Sequence, residues 1–190
     1  MTDKTVGFAL CGSFCTFSKV IPERPRLRDA GYKIQPIMSF NAYNMDTRFG
    51  TARTFREEIE TVTGAKIIAT IPDAEPIGPK KLLDALIIAP CTGNTLAKLA
   101  VGIADTPVTL AAKSHLRNGR PLLIGVSTND ALAGAAKNIG ALQNYKNVFF
   151  IPYGQDDSTE KPASRVADFT QTIPALEAAL RGVQIQPLLL

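Results

Sequence analysis

The sequence is short of the residues on which metal sites and nucleic-acid sites commonly depend. Its 190 residues include one histidine, three cysteines and no tryptophan. Cys11, Cys15 and Cys91 form no CxxC pair and lie far along the chain from His115, which argues against a zinc site and for reduced thiols inside a cell. The basic residues are not interleaved with aromatic ones, so nothing favours nucleic-acid binding. We therefore expect neither a metal nor a nucleic-acid partner.

Long apolar runs are also missing. No run approaches the roughly 20 residues that a membrane-spanning helix needs, and residues 1–5 lead into a strand-like segment without the character of a signal peptide. The hydrophobic fraction of 45% and the charged fraction of 20% are those of a globular protein, and the net charge of +4 permits an anionic ligand. Because no linker, repeat or low-complexity segment interrupts the chain, we expect residues 1–190 to form one cytoplasmic domain without membrane association.

Strand-like and helix-like segments alternate along the chain. Strands are predicted at residues 5–11, 33–40, 65–71, 84–89, 121–126 and 147–151. Helices are predicted at residues 16–30, 52–63, 96–103, 108–118, 131–142 and 164–180. Continuous apolar strands are typical of a parallel sheet covered on both faces, so the pattern predicts an α/β fold with right-handed crossovers. Pro36 weakens the second strand or places it near an edge, and Pro22 and Pro25 are expected to start or bend the first helix. The proline-rich residues 71–81 are expected to form a loop or arm on the surface.

Small polar residues follow four of the predicted strands. They are Gly12 and Ser13, then Ser39, then residues 90–95 (PCTGNT), then residues 127–130 (STND). Ligands of parallel sheets bind beyond the carboxyl ends of the strands, where hydroxyls and free helix N–H groups suit a phosphate. This edge has no P-loop lysine and no GxGxxG, so a weakly polar ring system with a phosphate tail is expected. The alternative is that Thr92, Thr106 and Asp130 only cap helices.

Four other features admit a functional and a structural interpretation. Cys91 is either a nucleophile or, as buried cysteines usually are, a packing residue. His115 is expected at the surface or at a subunit interface. The basic cluster of Arg24, Arg26, Arg28 and Lys33 is expected to be a solvated face. Residues 154–157 (GQDD) are expected to form a turn, unless their loop reaches the pocket and the carboxylates serve a metal or an acid role.

The segment PCTGNTLAKLAVGIADTPVTLAAK, residues 90–113, resembles the PASANT-type segment of the homo-oligomeric flavin-containing cysteine decarboxylase superfamily. The motifs GSFCTF, TRFG, EPIGPK, RNGRPLLIGVSTNDAL and NVFFIPYGQDD resemble one branch of that superfamily, the flavoprotein (B) subunits of dipicolinate synthases from spore-forming bacteria. The resemblance covers nearly the whole chain, from the first strand to the final QPLLL.

The resemblance implies a Rossmann-like or flavodoxin-like three-layer sandwich with a mostly parallel sheet, and FMN bound at a subunit interface. It implies an oxidoreductase role in forming dipicolinate from a dihydrodipicolinate, or from its hydrated tetrahydro form. The second (A) subunit of the synthase would carry a dinucleotide-binding domain and NAD(P). The expected assembly is a homo-oligomer, a trimer or a dodecamer, to which the alanine-rich residues 108–113 and 131–137 would contribute by close helix approach. The expected setting is the cytoplasm of the mother cell during sporulation.

The resemblance also implies site residues, though no catalytic one. The FMN phosphate would lie near Gly12, Ser13 and Ser39, and the isoalloxazine near Pro90, Thr92, Gly93, Asn94 and Thr95, with Ser127, Thr128 and Asn129 on the far side. Two carboxylates of the substrate would need donors, for which the candidates are Asn94, Asn129 and Arg48. Arg48 is alternatively a plain surface residue.

The chain departs from the wider superfamily at two places. Residues 41–50 (NAYNMDTRFG) lack the catalytic histidine of the decarboxylases. The arginine of the flavin prenyltransferases corresponds in this sequence to Ser127 or a position close to it. Cysteine decarboxylation and prenyl transfer are therefore not expected. A stand-alone decarboxylase or prenyltransferase remains an alternative, and so does a non-catalytic subunit that stabilises its partner.

Overall fold

The computed structural model describes residues 3–190, and a sheet of seven strands runs through them. The strands are β1 (Thr5–Leu10), β2 (Lys33–Met38), β3 (Ala85–Cys91), β4 (Leu122–Thr128), β5 (Val148–Phe150), β6 (Tyr153–Gly154) and β7 (Arg165–Ala167). The first five lie side by side in the order β2, β1, β3, β4, β5, and all their pairings are parallel. β6 and β7 form an antiparallel hairpin whose β7 pairs with the last two residues of β4. The mostly parallel sheet predicted from the sequence is confirmed.

Helices flank this sheet. They are α1 (Phe17–Val20), α2 (Glu23–Asp29), α3 (Phe40–Asn44), α4 (Ala52–Thr63), α5 (Ile71–Ala74), α6 (Gly93–Ala100), α7 (Pro107–Leu116), α8 (Ala136–Gln143) and α9 (Thr172–Leu180). All seven residues of β3 are buried. Because successive strand residues point to opposite faces, both faces of the sheet must be covered. The predicted α/β class, a three-layer arrangement of the flavodoxin-like kind, is thereby confirmed.

The longest helix, α4, shows how the local sequence determines where a helix begins and ends. The Thr51 hydroxyl accepts an N–H of the first turn, and Gly64, at φ +65°, ends the helix in the left-handed conformation that glycine adopts without strain. Phe55 and Ile59 are buried at helical spacing, so this side of the helix faces the core.

β2 lies at the edge of the sheet, as Pro36 indicated. Met38 N donates to Ile68 O at 2.9 Å and Ile68 N donates to Pro36 O at 3.0 Å, so the missing N–H of Pro36 faces away from β1. The predicted strand at residues 65–71 is wrong, because this segment contributes one isolated β-bridge, between Ile37 and Ile68.

Residues 71–81 are not the loop that their prolines suggested. The Thr70 hydroxyl accepts from Asp73 N at 3.2 Å and starts α5, whose first turn tolerates the proline at position 72. A 3₁₀ turn, Glu75–Ile77, follows directly.

The predicted helix at residues 164–180 is wrong in its first half. Residues 165–167 form β7, because Val166 and Arg165 pair with Ser127 and Thr128 at the end of β4. Asp168 then accepts from Thr170 N at 3.1 Å and starts a turn that leads into α9.

Two other helices differ from their predicted extent. The segment 16–30 is divided into α1 and α2 at Pro22, one of the two prolines that were expected to start or bend its helix. The segment 131–142 is helical only from Ala136, because Asp130 O accepts from the N–H groups of Ala133 and Ala135 in a preceding turn.

Two basic residues that were expected at the surface are buried. Arg24 is 0% exposed, its guanidinium lies 5.1 Å from the centre of the Phe8 ring, and burial lowers its pKa to about 9. The solvated face therefore excludes Arg24, whereas Arg26 is about half exposed. His115 is 1% exposed, and burial lowers its pKa to about 4. This side chain therefore lies inside the protein, and not at the surface or at a subunit interface as expected.

The alanine-rich part of α7 is already used inside the chain. Val108, Ala111 and Ala112 are each 0% exposed, so they pack against the sheet and are not available to another subunit. Within residues 3–190, no helix is both long and apolar enough to span a membrane.

Candidate functional site

The carboxyl ends of β1 and β4 are joined by a set of hydroxyl groups. Ser13 Oγ lies 2.8 Å from Ser127 Oγ, although the two residues are 114 positions apart in the chain. Ser127 Oγ donates to Thr16 Oγ1 at 3.4 Å, and Thr16 Oγ1 donates to Ser13 O at 2.8 Å. Two predicted site residues therefore meet, and Thr16, which lies in the motif GSFCTF but was not among the predicted site residues, completes the cluster.

A second set of hydroxyl groups lies between β3 and α6. Thr92 caps α6 by accepting from Thr95 N at 3.3 Å, and its own hydroxyl donates to Thr95 Oγ1 at 3.2 Å. Thr95 Oγ1 in turn donates to Cys11 Sγ at 3.3 Å, and Cys11 N donates to Pro90 O at 3.2 Å. The predicted capping role of Thr92 is confirmed, and the same hydroxyl lies at the predicted binding edge.

Beneath this edge lie two buried thiols. Cys11 and Cys91 are 1% and 0% exposed, and both are free. The neighbouring Cys91 thiol lowers the pKa of Cys11, with help from the Thr95 hydroxyl, whereas burial raises the pKa of Cys91 well above its usual value. A nucleophilic cysteine needs an accessible thiolate, so Cys91 fits the packing interpretation.

The corner between α6 and the end of β4 is filled by a carboxylate. A Cβ on Gly93 would lie 2.8 Å from both Asp130 Oδ1 and Thr128 Oγ1, so a larger residue at this position would displace these two side chains. Thr128 Oγ1 donates to Asp130 Oδ1 at 2.5 Å. The alternative that Asp130 caps α8 is wrong, because that helix begins at Ala136 without a side-chain cap. Thr106, by contrast, caps α7 as expected.

The end of β2 lies beside the end of β1. Ser39 N donates to Leu10 O at 2.9 Å, and Ser39 Oγ accepts from Ala42 N at 3.3 Å and caps α3. A Cβ on Gly12 would lie 3.6 Å from the Cβ of Asn41, so Asn41 also borders this edge. Sequence analysis missed Asn41, although its position two residues after Ser39 was a usable indication.

The three candidates for substrate binding lie outside the hydroxyl sets. Arg48 is exposed in a turn closed by the paired main chains of Thr47 and Gly50, and its guanidinium lies 4.9 Å from the centre of the Phe49 ring. Asn94 and Asn129 are also exposed, and neither amide forms a hydrogen bond within residues 3–190. The polar groups of these three exposed side chains are therefore without a hydrogen-bond partner within residues 3–190.

Residues 154–157 belong to the hairpin of β6 and β7. Asp157 Oδ1 accepts from Thr159 N at 3.2 Å and from Glu160 N at 2.9 Å, and Asp156 lies 3.7 Å from the Lys161 ammonium. These contacts form the expected turn. Among the residues that the structure describes, no group of three or more His, Cys, Asp or Glu side chains could hold a metal ion.

Known proteins are similar to this chain over nearly its full length. A family model described as Flavoprotein matches residues 1–174. The B subunit of dipicolinate synthase from Bacillus subtilis (strain 168) is 45% identical over 186 residues, which cover 98% of this chain and 93% of the relative. The crystal structure of the corresponding B subunit from Bacillus halodurans C is similar with a TM-score of 0.91 at 44% identity, covering 98% of this chain and 96% of that one.

A more distant structure shares the same fold. The FMN-dependent cysteine decarboxylase SpaF is similar with a TM-score of 0.65 at 25% identity, covering 94% of this chain and 97% of that one. The resemblance found in the sequence motifs is thus confirmed along nearly the full chain. By the match of its first 174 residues to the family model, the chain belongs to the Flavoprotein family.

Proposed function

We propose that this chain is the flavin-binding B subunit of a dipicolinate synthase. The enzyme would form dipicolinate by removing a hydride and a proton from a dihydrodipicolinate, after loss of water where the precursor is hydrated. The identity of 45% over 98% of the chain to a protein of that name carries the proposal. The formation of an aromatic ring favours the reaction, and the hydride requires an acceptor.

The carboxyl edge of the sheet supports FMN as the cofactor. The hydroxyls of Ser13 and Ser127, 2.8 Å apart, and the first N–H groups of α6 are donors of the kind that hold phosphate and ring oxygens. Gly93 keeps the backbone close to the Thr128 and Asp130 side chains. FMN bound there would supply a two-electron acceptor. The residues proposed to hold it are Gly12, Ser13, Ser39, Pro90, Thr92, Gly93, Asn94, Thr95, Ser127 and Thr128.

The substrate carries two carboxylates, which need fixed donors and positive charge. Arg48 has no ion-pair partner within residues 3–190, so its guanidinium is free to bind a carboxylate through two parallel hydrogen bonds. Asn94 and Asn129 have free amide groups at the same edge of the sheet. We assign these three residues to the substrate.

The exposure of these residues supports a site that other chains complete. The A subunit of the synthase, with a dinucleotide-binding domain and NAD(P), is the proposed partner, and a trimer or dodecamer of this chain is the proposed assembly. A dianionic substrate meeting exposed, hydrated donors binds weakly, because water competes for each hydrogen bond. A neighbouring chain that covers Arg48 would exclude that water. We place the complex in the mother-cell cytoplasm during sporulation.

The decisive experiment is to purify this chain with and without the A subunit, then to record the visible spectrum and dipicolinate formation of each. Bound flavin and a dependence of activity on both subunits are expected. A colourless chain that takes up no FMN but still supports synthesis would favour a purely stabilising role. Activity of this chain without any partner would favour a stand-alone enzyme and contradict the proposal.

A further inference from the structure

A cavity of about 670 Å³ lies between α8, the start of β7 and the segment 186–189. Its volume falls within the range of about 300–1,000 Å³ that is typical of small-molecule sites. One wall is formed by Ala131 and Leu132, which follow the STND segment directly. The cavity therefore adjoins the segment 127–130, and its lining includes none of the residues that we assign to FMN.

Arg165 is the charged residue that lines this cavity. It stands opposite Thr128 in the pairing of β7 with β4, and its guanidinium lies 5.5 Å from the centre of the Tyr153 ring. Its Nε is buried without a hydrogen-bond partner, and no carboxylate of residues 3–190 comes within ion-pair distance of its guanidinium. The outer guanidinium nitrogens of Arg165 are not buried in this way and form no hydrogen bond within residues 3–190, so they are left to bind a ligand in the cavity. The ligand that suits a guanidinium is an anion, and a carboxylate fits its planar pair of donors.

Two further donors border the same cavity. Tyr153 OH accepts from Gln143 Nε2 at 3.0 Å, so its own proton is left to donate. Burial raises the pKa of Tyr153, which keeps that proton in place at neutral pH. Gln186 Oε1 accepts from Leu188 N at 3.2 Å, so its NH₂ group is also free to donate. The polar groups that face the cavity are therefore mainly donors, which is the complement of a carboxylate.

The remaining walls are apolar, and they include Ala136, Ile139 and Leu189. Such walls favour a flat hydrocarbon or aromatic body over a hydrated sugar or a free phosphate. We propose that this cavity binds a small carboxylic acid with an aromatic or other flat ring, with its carboxylate on Arg165 and Tyr153. This site is separate from the proposed flavin site and does not depend on the proposed function.

The test is calorimetric titration of the full chain with benzoate and with dipicolinate. We expect both acids to bind, and Arg165→Gln to weaken binding tenfold or more through loss of the charge-assisted pair. Lys161→Gln is the matched control, because it removes the same charge from the same hairpin outside the cavity and should leave the affinity unchanged. Failure of both acids to bind would overturn the proposal, and so would wild-type affinity in Arg165→Gln.

A second variant, Gly140→Leu, tests the same cavity in case Arg165→Gln fails to fold. Gly140 lies in α8 and lines the cavity, and a Cβ placed on it meets nothing within 4 Å. Gly140→Leu should therefore fill the cavity without a clash, while a better helix former replaces glycine. We expect it to abolish binding without lowering the melting temperature. A Gly140→Leu protein that binds as the wild type would contradict the assignment.

Amide chemical shifts locate the ligand directly. Benzoate should shift resonances of residues 131–143 and 186–189 in the full chain. Shifts confined to residues 12–16 and 92–95 would place the acid at the proposed flavin site and overturn the inference.

Discussion

The amino ends and the carboxyl ends of β1, β3 and β4 are both polar, but their polar groups differ in kind. At the amino ends, large side chains bind the main chain: Asp84 Oδ2 accepts from Thr5 N at 2.8 Å, and His115 Nε2 lies 3.0 Å from Pro121 O. Arg120 donates to the carbonyl oxygens of two residues that precede β3. These groups are satisfied by the chain itself, and little of their hydrogen-bonding capacity is left for a ligand.

At the carboxyl ends, small side chains bind one another. Ser13 and Ser127 share a hydrogen bond across the sheet, and Thr92 and Thr95 form a chain of hydrogen bonds that ends on Cys11. Short hydroxyls leave space above the strand ends, and the first N–H groups of α6 remain available. The difference supports our proposal that the carboxyl ends serve binding, whereas the contacts at the amino ends serve stability. Substitutions at the two ends should therefore change different measurements.

The largest effect is expected from Thr92→Tyr at the carboxyl end. The tyrosine ring would occupy the space assigned to the flavin ring, so the purified protein should lose bound FMN and its visible absorbance. Thr106→Tyr is the matched control, because Thr106 caps α7 as Thr92 caps α6. The control should keep its flavin and lose only about 1 kcal/mol of stability with the cap. Full FMN occupancy in Thr92→Tyr would contradict the proposal that the carboxyl ends of the strands, unlike the amino ends, serve binding.

Acidification should lower the stability of the protein through His115, at the amino end of β4. Burial lowers the pKa of His115 from 6.5 to about 4, so between these values the unfolded chain binds a proton that the native chain does not. The free energy of unfolding should therefore fall as the pH decreases from 6.5 to 4, by on the order of 3 kcal/mol from this residue. Urea denaturation at several pH values measures this dependence of the free energy of unfolding on pH.

His115→Gln supplies the control for that titration, because glutamine retains a donor for Pro121 O without titrating. Its stability should depend less steeply on pH than that of the wild type. The Thr92→Tyr protein should keep the wild-type slope, since its change lies at the other end of the strands. Identical slopes in His115→Gln and wild type would remove His115 as the cause.

The next effect concerns Arg48, which lies beyond the carboxyl end of β2. Arg48→Ala should lose a charge-assisted pair to a substrate carboxylate, worth about 1.5–3 kcal/mol, or roughly 10- to 150-fold in kcat/KM of the two-subunit complex. The flavin spectrum should stay unchanged. Arg53→Ala is the control, because Arg53 is exposed and paired with Glu57 at 2.7 Å. An Arg48→Ala complex with wild-type kcat/KM would remove Arg48 from the site.

The sequence was sufficient for the features that depend on local pattern. Apolar runs that end in Gly12-Ser13, Ser39 or Ser127 predicted both the strands and the polar edge, because parallel strands bring such ends together. It was insufficient where distant packing decides. Arg24 and His115 occur in ordinary amphipathic patterns, and only the neighbouring elements bury them.

The same limit applies to the candidate site. Asp130 was expected at a helix terminus, but a turn delays α8 and places its carboxylate against Gly93. Arg165 lies in a segment whose helical periodicity concealed a short strand, so its approach to Thr128 could not be predicted. Short strands that pair over two or three residues carry too few positions for periodicity to identify them.

The smallest effect is expected from Ser127→Ala, which tests whether the hydroxyl cluster serves binding more than stability. Ser127 Oγ bonds Ser13 Oγ at 2.8 Å and Thr16 Oγ1 at 3.4 Å. Its loss should lower the free energy of unfolding by about 1 kcal/mol, the net value of a typical hydrogen bond. Ser13 would then be free to rotate, so FMN affinity should fall by roughly three- to tenfold, about 0.7–1.4 kcal/mol. Chemical denaturation and FMN titration measure the two losses, with the exposed Ser158→Ala as control. If Ser127→Ala lost stability but kept full FMN affinity, the cluster would be a structural feature like those at the amino ends.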